Sequence, residues 1–429
     1  MKKMLKNSLV LAISAGFATM PFQAQATNGY FSHGYGIKSK GMAGAGVALS
    51  QDSLAGAINP AGMVRVGNRW DAGADIFIPD RTATTAWGST GNATSTTYDG
   101  NGSGFGDEWF LIPEFGYNRM IDKNMSFGVS VFGNGGMNTS YSSPIFSTGA
   151  TGAPASNTNT GVDLMQLFIS PTLSIKLDDK NSVGVAVNLV YQRFEAEGMT
   201  DFGVANNGYD SSYGASFRVG WMGDLTDTVT AGFSYQPKTH MKAFDKYNTL
   251  FAENGDFDIP ANFALGLSWK ATPKMTVAFD VMRINYEGVK SISNPNNFSV
   301  DGSATSAGFG WENMEIYKLG VNYQMNKDLV LRAGWNHGSQ PIPEGETLFN
   351  VVAPAVVEDH LTLGFTLNMN DGGELSAFYM HAFDNDVTGV PGGTATGFPG
   401  GGGAGSFAPG AANIGMSQNS FGVAYGKKF

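Results

Sequence analysis

The sequence predicts an all-β fold, a 14-stranded antiparallel transmembrane β-barrel with an N-terminal hatch (plug) inside the lumen. Three observations lead there. Apolar and polar residues alternate through fourteen stretches of residues 69–429. The gaps between them are alternately short and long. A small-residue segment of about 40 residues stands before the first stretch. Tight turns at one end and long loops at the other are what periplasmic turns and extracellular loops look like. A water-soluble sandwich has no reason to sort its loops by length.

In chain order, residues 1–26 come first and read as an export signal. Lys2, Lys3 and Lys6 are followed by the apolar run Leu9–Phe17 and by Ala24-Gln25-Ala26, an A-x-A cleavage site. Its removal takes the formal net charge from -10 to -13. An acidic chain without basic clusters is unsuited to nucleic acid. Cys 0 excludes disulfides, thiol redox chemistry and Cys-based metal sites. Charged residues are only 14% and mean hydropathy is -0.12, with no later apolar run near the ~20 residues of a spanning helix. Barrel strands hide their hydrophobicity by alternation, so these averages still allow membrane insertion.

Residues 27–68 lack strand alternation. Gly34–Gly46 is rich in small residues, Val47–Ile58 suggests a short helix, and Asn59-Pro60-Ala61-Gly62-Met63 follows. Such a segment either hangs in the periplasm or folds into the lumen, where small residues permit close backbone packing.

The barrel takes residues 69–429. Strand centres are expected at Asp71–Pro79, Phe110–Met120, Met125–Gly133, Met165–Leu177, Ser182–Phe194, Tyr213–Met222, Val229–Lys238, Asn262–Lys270, Met275–Glu287, Glu315–Gln324, Leu329–His337, His360–Met369, Glu374–Phe383 and Asn419–Phe429. Period 2 sends Val183, Val185, Val187 and Leu189 to lipid and Gly184, Ala186 and Asn188 to the lumen. Trp221, Trp269 and Tyr323 beside short turns, and Tyr235 and Trp335 near long loops, read as two interfacial aromatic girdles. Phe421, Val423, Tyr425 and the terminal Phe429 form an alternating last strand of the kind handed to the outer-membrane assembly machinery, although Lys427 interrupts it. The even strand number leaves both chain ends in the periplasm.

The small-residue segment ending in Asn59-Pro60-Ala61-Gly62-Met63, followed by an amphipathic strand and a barrel of this size, resembles the FadL/TodX-type outer-membrane transporters of hydrophobic compounds. The resemblance covers essentially the whole mature chain. It implies a monomer without cofactor, whose ligand is a long-chain fatty acid or, in some branches, an aromatic hydrocarbon or alkane. It further implies that the mature N-terminus, here Thr27–Phe31 with Tyr30 and Phe31, touches ligand, and that Asn59–Met63 forms the hatch turn. The third strand of such proteins kinks inward and opens a lateral exit. That kink maps onto Phe132-Gly133-Asn134-Gly135-Gly136, where glycine in a strand marks a bulge, a bend or the start of a loop.

Beyond the wall, Met241, Phe244, Tyr247, Leu250 and Phe251 make an apolar stripe at helix-like spacing in a loop that should be polar. The stripe either packs on neighbouring loops or forms a ligand groove. Val390–Gly410, mostly Gly with Phe398 and Phe407, offers no chemistry. Glu114, Lys176, Arg218, Asp280, Lys318 and Arg332 are expected to face the lumen, and Arg218, Lys318 and Arg332 are candidate partners for a ligand carboxylate. A general hydrophilic porin is the competing reading, and would want an open lumen. An outer-membrane enzyme is the third. Against it, His33, His240, His337, His360 and His381 are scattered outside any nucleophile motif, and no metal cluster or phosphate loop appears.

Overall fold

Alternation along the chain becomes a closed wall. The computed structural model describes residues 27–87, 94–103, 106–143, 145, 159–200, 203–297, 299–390 and 412–429. The expected export signal lies outside these residues, as does the glycine-rich loop beyond Val390. Fourteen strands make the wall: β1 Arg69–Trp87, β2 Phe110–Met120, β3 Met125–Tyr141, β4 Thr160–Lys176, β5 Asn181–Glu197, β6 Asp210–Asp224, β7 Val229–Gln236, β8 Asn262–Thr272, β9 Met275–Ile284, β10 Met314–Gln324, β11 Leu329–Gly338, β12 Asp359–Asn368, β13 Gly373–Thr388 and β14 Ala412–Lys428. Each pairs antiparallel with its sequence neighbour, and β14 closes on β1 from Arg69↔Lys428 to Thr85↔Ala412. Full closure leaves no free sheet edge except where a pairing breaks. A short ribbon, Thr94–Asp99, adds to the outer end of β1.

Outward residues are the apolar set. Val185, Val187, Leu189, Leu265, Leu267, Leu361 and Leu363 are exposed on the wall, as are Trp269 and Tyr323 at one rim and Tyr235 and Trp335 at the other. The opposite set, including Ser170, Thr172, Asn188, Ser234 and Thr362, is fully buried. At the closing seam the terminal Phe429 stacks on Tyr117 with ring centroids 5.7 Å apart, and its amide donates to Asn68.

The strands run further than the alternating cores suggest, because their outer ends pair above the lipid level. β1 continues to Trp87 and β3 to Tyr141. β9 is shorter: it stops at Ile284, and Tyr286, expected within it, stands in a tight turn at Tyr286–Gly288. The expected helix over Val47–Ile58 reduces to Ala55–Ile58, since Gln51, Asp52 and Ser53 bond locally and to the wall instead; the Leu54 amide, for example, donates to Asp52. The glycines on the inner face show why the wall carries so many. A Cβ on Gly184 would fall 2.3 Å from the Pro60 carbonyl carbon, one on Gly232 2.3 Å from the Val47 oxygen, and one on Gly334 2.4 Å from Met42. The backbone of the N-terminal segment lies directly on these strands.

Candidate functional site

Residues 27–66 run within the ring of strands, and almost all are buried. Their polar groups are satisfied by the wall. Glu114 of β2 accepts from the amides of Gly36 (3.1 Å) and Ile37 (2.9 Å), Asp280 of β9 from those of Gly46 (2.7 Å) and Val47 (3.0 Å), and Thr362 of β12 from Ala43 (2.9 Å). Buried amides without partners would cost about 1–3 kcal/mol each, so these inward carboxylates hold the segment in place. Ion pairs add to this: Lys40 with Asp75 at 3.1 Å, Arg65 with Asp224 at 2.8 Å, and Lys38 with Glu374, which also takes Arg69 at 2.9 Å.

The Asn59–Met63 turn is one of these attachments. Asn59 Nδ2 donates to the carbonyls of Val47 (2.7 Å) and Trp221 (3.0 Å), while its Oδ1 accepts from the Ala61 amide at 3.1 Å. Pro60–Gly62 is a single 3-10 turn, with proline at its first position where no N–H is needed. Ser174 donates to Ala61 and Asn118 to Met63. The turn thereby touches β2, β4 and β6, and Pro60 lies on Gly184 of β5.

The other end of the segment sits at a break in the wall. β2 pairs with β1 over Phe110–Asn118, but with β3 only between Phe115 and Met120. Phe110–Glu114 and Phe132–Tyr141 therefore face each other without a ladder. In the same place β3 carries a bulge against β4, where Gly133 pairs with Leu167, Gly135 with Gln166, and Asn134 is the extra residue. The chain does not turn into a loop at Gly133. The exposed edge is taken by the N-terminal segment: the Gly136 amide donates to Tyr30 (2.9 Å), the Ser32 amide to Asn134 (2.8 Å), and Phe31 bridges Gly135. Any Cβ on Gly135 would lie 1.7 Å from the Tyr30 oxygen, so the approach requires glycine. Tyr35 donates from its hydroxyl to Asn134 (2.7 Å) and packs on Phe132 with centroids 4.7 Å apart. Above them the buried Arg81 spans the break, donating to Asn138 and to the Asn101 and Asp107 region.

Tyr30 and Phe31 are wholly buried, beneath an aromatic roof built by the extracellular loops. Tyr30 contacts Phe257 (6.2 Å), Tyr286 (5.4 Å) and Trp311 (6.1 Å), and the chain of rings continues through Phe309 to Phe349. Phe244, Tyr247, Leu250 and Phe251 belong to the same body. They pack on Phe194, whose ring lies 4.8 Å from both Tyr247 and Phe251, and no greasy stripe faces water. The expected helical spacing is absent as well: only a turn at Asp245–Tyr247 and a distorted one at Ala252–Gly255 occur, the latter with Glu253 and Asn254 at positive φ. Phe194, Phe257, Tyr286, Trp311, Phe309 and Phe349 escaped the sequence reading. Aromatic residues inside or beside water-facing loops were the available signal.

The three cations picked from the sequence are buried, and none meets a carboxylate at ion-pair distance among the described residues. Arg218 donates to Ser234 (3.3 Å), Asn262 (3.3 Å) and Gln236 (2.8 Å), Lys318 to the His33 carbonyl (2.8 Å), and Arg332 to Gln51 (2.9 Å) and Thr366 (2.7 Å). Arg218 and Lys318 share a small internal cavity with Tyr35 and Asp280, of about 30 Å³ and so wide enough for a water or two. Arg332 stands apart from it. Glu114 and Asp280 face the lumen as attachment points, and Lys176 lies at the periplasmic rim beside Arg65 and Asp224.

A closed fourteen-strand antiparallel barrel, apolar outside and with its N-terminal segment packed on the inner faces of the strands, is the architecture of an outer-membrane channel protein. Residues 18–391 match the family described as Outer membrane protein transport protein (OMPP1/FadL/TodX), and the chain belongs to that family. Its members are transport channels and not enzymes. Among solved structures the chain is similar in fold to the P. putida toluene transporter TodX, at 18% identity over 92% of this chain and 99% of that one, with a TM-score of 0.67. A Pseudomonas aeruginosa FadL homologue gives 16% identity, coverage of 94% and 100%, and a TM-score of 0.69. The Ralstonia pickettii toluene transporter TbuX gives 17%, 92% and 99%, and 0.63. No curated protein matches the chain.

Proposed function

We propose that the barrel passes hydrophobic molecules, long-chain fatty acids first among them, from the cell exterior into or across the outer membrane. The N-terminal segment acts as a hatch that closes the lumen. The ligand enters beneath the aromatic roof, and movement of residues 27–35 uncovers the break between β2 and β3 as a lateral exit. A ligand can drive this only by binding the moved state more tightly than the closed one. The supporting observation is that the one stretch of β3 without a strand partner on the β2 side is filled by the residues nearest the roof, Tyr30 to Ser32.

Buried Arg218, whose donors meet only neutral oxygens, favours an acid over a hydrocarbon. A buried guanidinium served only by neutral oxygens is costly, and a ligand carboxylate beside Arg218 and Lys318 would offset that cost. Arg218→Met with Lys318→Met should lower oleate affinity at least tenfold while leaving a neutral hydrocarbon such as toluene unaffected. The roof's rings support the second reading, an aromatic-hydrocarbon ligand. Growth on oleate against growth on an aromatic hydrocarbon, with and without the gene, separates the two; unchanged uptake of both would defeat the transport reading itself.

A further inference from the structure

Tyr286 is the place where the extracellular roof and the wall break are mechanically joined. Its hydroxyl donates to the Asn28 carbonyl at 2.7 Å and accepts from the Tyr30 amide at 3.1 Å. It thus serves two backbone groups of one turn, which closes on itself through the Asn28 amide donating to Phe31. Gly29 between them has φ +62°, and a Cβ there would lie 2.4 Å from the Tyr286 oxygen, so the hydroxyl fits only against glycine. On its far side this same turn supplies the Tyr30 carbonyl to Gly136 and the Phe31 bridge to Gly135 at the bulge. Four residues are therefore held by a loop tyrosine on one side and by the wall break on the other.

The ring of Tyr286 is itself a member of the roof. It meets Trp311 edge-on at 5.2 Å, Tyr30 at 5.4 Å and Phe31 at 6.0 Å. Trp311 is fixed by its indole N–H to Asn350 at 2.6 Å. An apolar molecule entering among these rings has to part Tyr286 from Trp311, and Trp311 is pinned by its bond to Asn350. Shifting the Tyr286 ring breaks both hydroxyl bonds at once.

We propose that Tyr286 is a positioning residue acting as a latch: its hydroxyl holds the Asn28–Phe31 turn in the wall break, and an apolar ligand pushing between Tyr286 and Trp311 releases it. This builds on the transport reading above by naming how ligand arrival at the roof is transmitted to the exit. Loss of the hydroxyl removes two buried hydrogen bonds, leaving the Tyr30 amide without its acceptor and the Asn28 carbonyl with only the Phe31 amide, while the ring and its packing remain in Tyr286→Phe.

The natural chain contains Cys 0, so single introduced cysteines report cleanly. Thr27→Cys places a thiol at the turn, and Ser50→Cys places one further along the segment, against Gly62. Each is combined with Tyr286→Phe in the full-length protein, purified in detergent, and its rate of maleimide labelling is measured. The latch predicts at least about tenfold faster labelling at position 27 and no change at position 50. Equal rates at 27 with and without the hydroxyl would overturn it. So would a parallel rise at both positions, which would make Tyr286 a general packing residue. Neither readout needs a substrate, so failure here is distinct from failure of the transport reading.

Discussion

Asn59→Ala tests how firmly the hatch turn is held. The substitution removes the bonds to Val47 (2.7 Å), Trp221 (3.0 Å) and Ala61 (3.1 Å) from a residue that is fully buried. At about 1 kcal/mol net for each, the local loss is about 3 kcal/mol. With a factor of ten for every 1.4 kcal/mol, the turn should open about a hundredfold more often. Hydrogen exchange reads this directly. The amides at positions 59 and 62 bond to the backbone carbonyls of Ala55 and Asn59, which the substitution leaves intact, so their exchange reports opening of the turn and not loss of their own acceptor. Exchange there should accelerate about a hundredfold under conditions where β8–β12 exchange as before. Asn59→Asp keeps the bond to Ala61 but turns an acceptor toward two carbonyls, and should do no better than alanine. Exchange within about twofold of the natural protein would refute the reasoning, because the turn would then be held by shape alone.

Two further outcomes follow from packing and charge. Gly220→Val puts a Cβ 1.9 Å from the Asn59 oxygen and 3.0 Å from the Pro60 ring, so the barrel should still form, judged by heat-modifiable migration, while the segment becomes sensitive to protease from the periplasmic side. Asp256, in the loop between β7 and β8, is pushed up to about 7 by burial and by the neighbouring Asp258. Because its affinity for a proton is higher in the folded loop than in an unfolded chain, the packing it supports is fully present below the ordinary carboxylate range and is lost as pH rises through about 7. Peptides covering residues 239–258 should therefore exchange faster at pH 8 than at pH 5, after correction for intrinsic rates, and the difference should vanish in Asp256→Asn.

The wall was legible because lipid and lumen impose opposite demands on successive residues. Val185, Val187 and Leu189 had to alternate with Ala186 and Asn188, and nothing in the loops competes with that signal. Strand ends were less so, since Tyr141 and Trp87 lie beyond the lipid, where pairing no longer carries an apolar face. The bulge at Gly133–Gly136 could be suspected from its glycines, but the missing ladder between Phe110–Glu114 and Phe132–Tyr141 depends on register between strands. Arg218, Lys318 and Arg332 faced inward as expected; their partners could not be read, because Gln236 and Asn262 meet Arg218 through the register of neighbouring strands, while His33 and Gln51 are brought to Lys318 and Arg332 by the path of the N-terminal segment. The roof was least legible of all. Tyr286 and Trp311 stand at opposite ends of the one loop between β9 and β10, with no periodicity, and only the fold brings them to Tyr30.

The central claim is that the lumen is closed by the chain's own N-terminal segment. Deleting residues 27–66 behind a functional export signal, and measuring liposome swelling in small sugars, tests it most directly. A correctly inserted, heat-modifiable barrel without the segment should admit arabinose at a rate approaching that of an open porin, while the full-length protein admits almost none. If the deleted barrel is intact and swelling stays at the full-length level, the segment does not close the lumen, and the hatch, the latch and the lateral exit all fall with it.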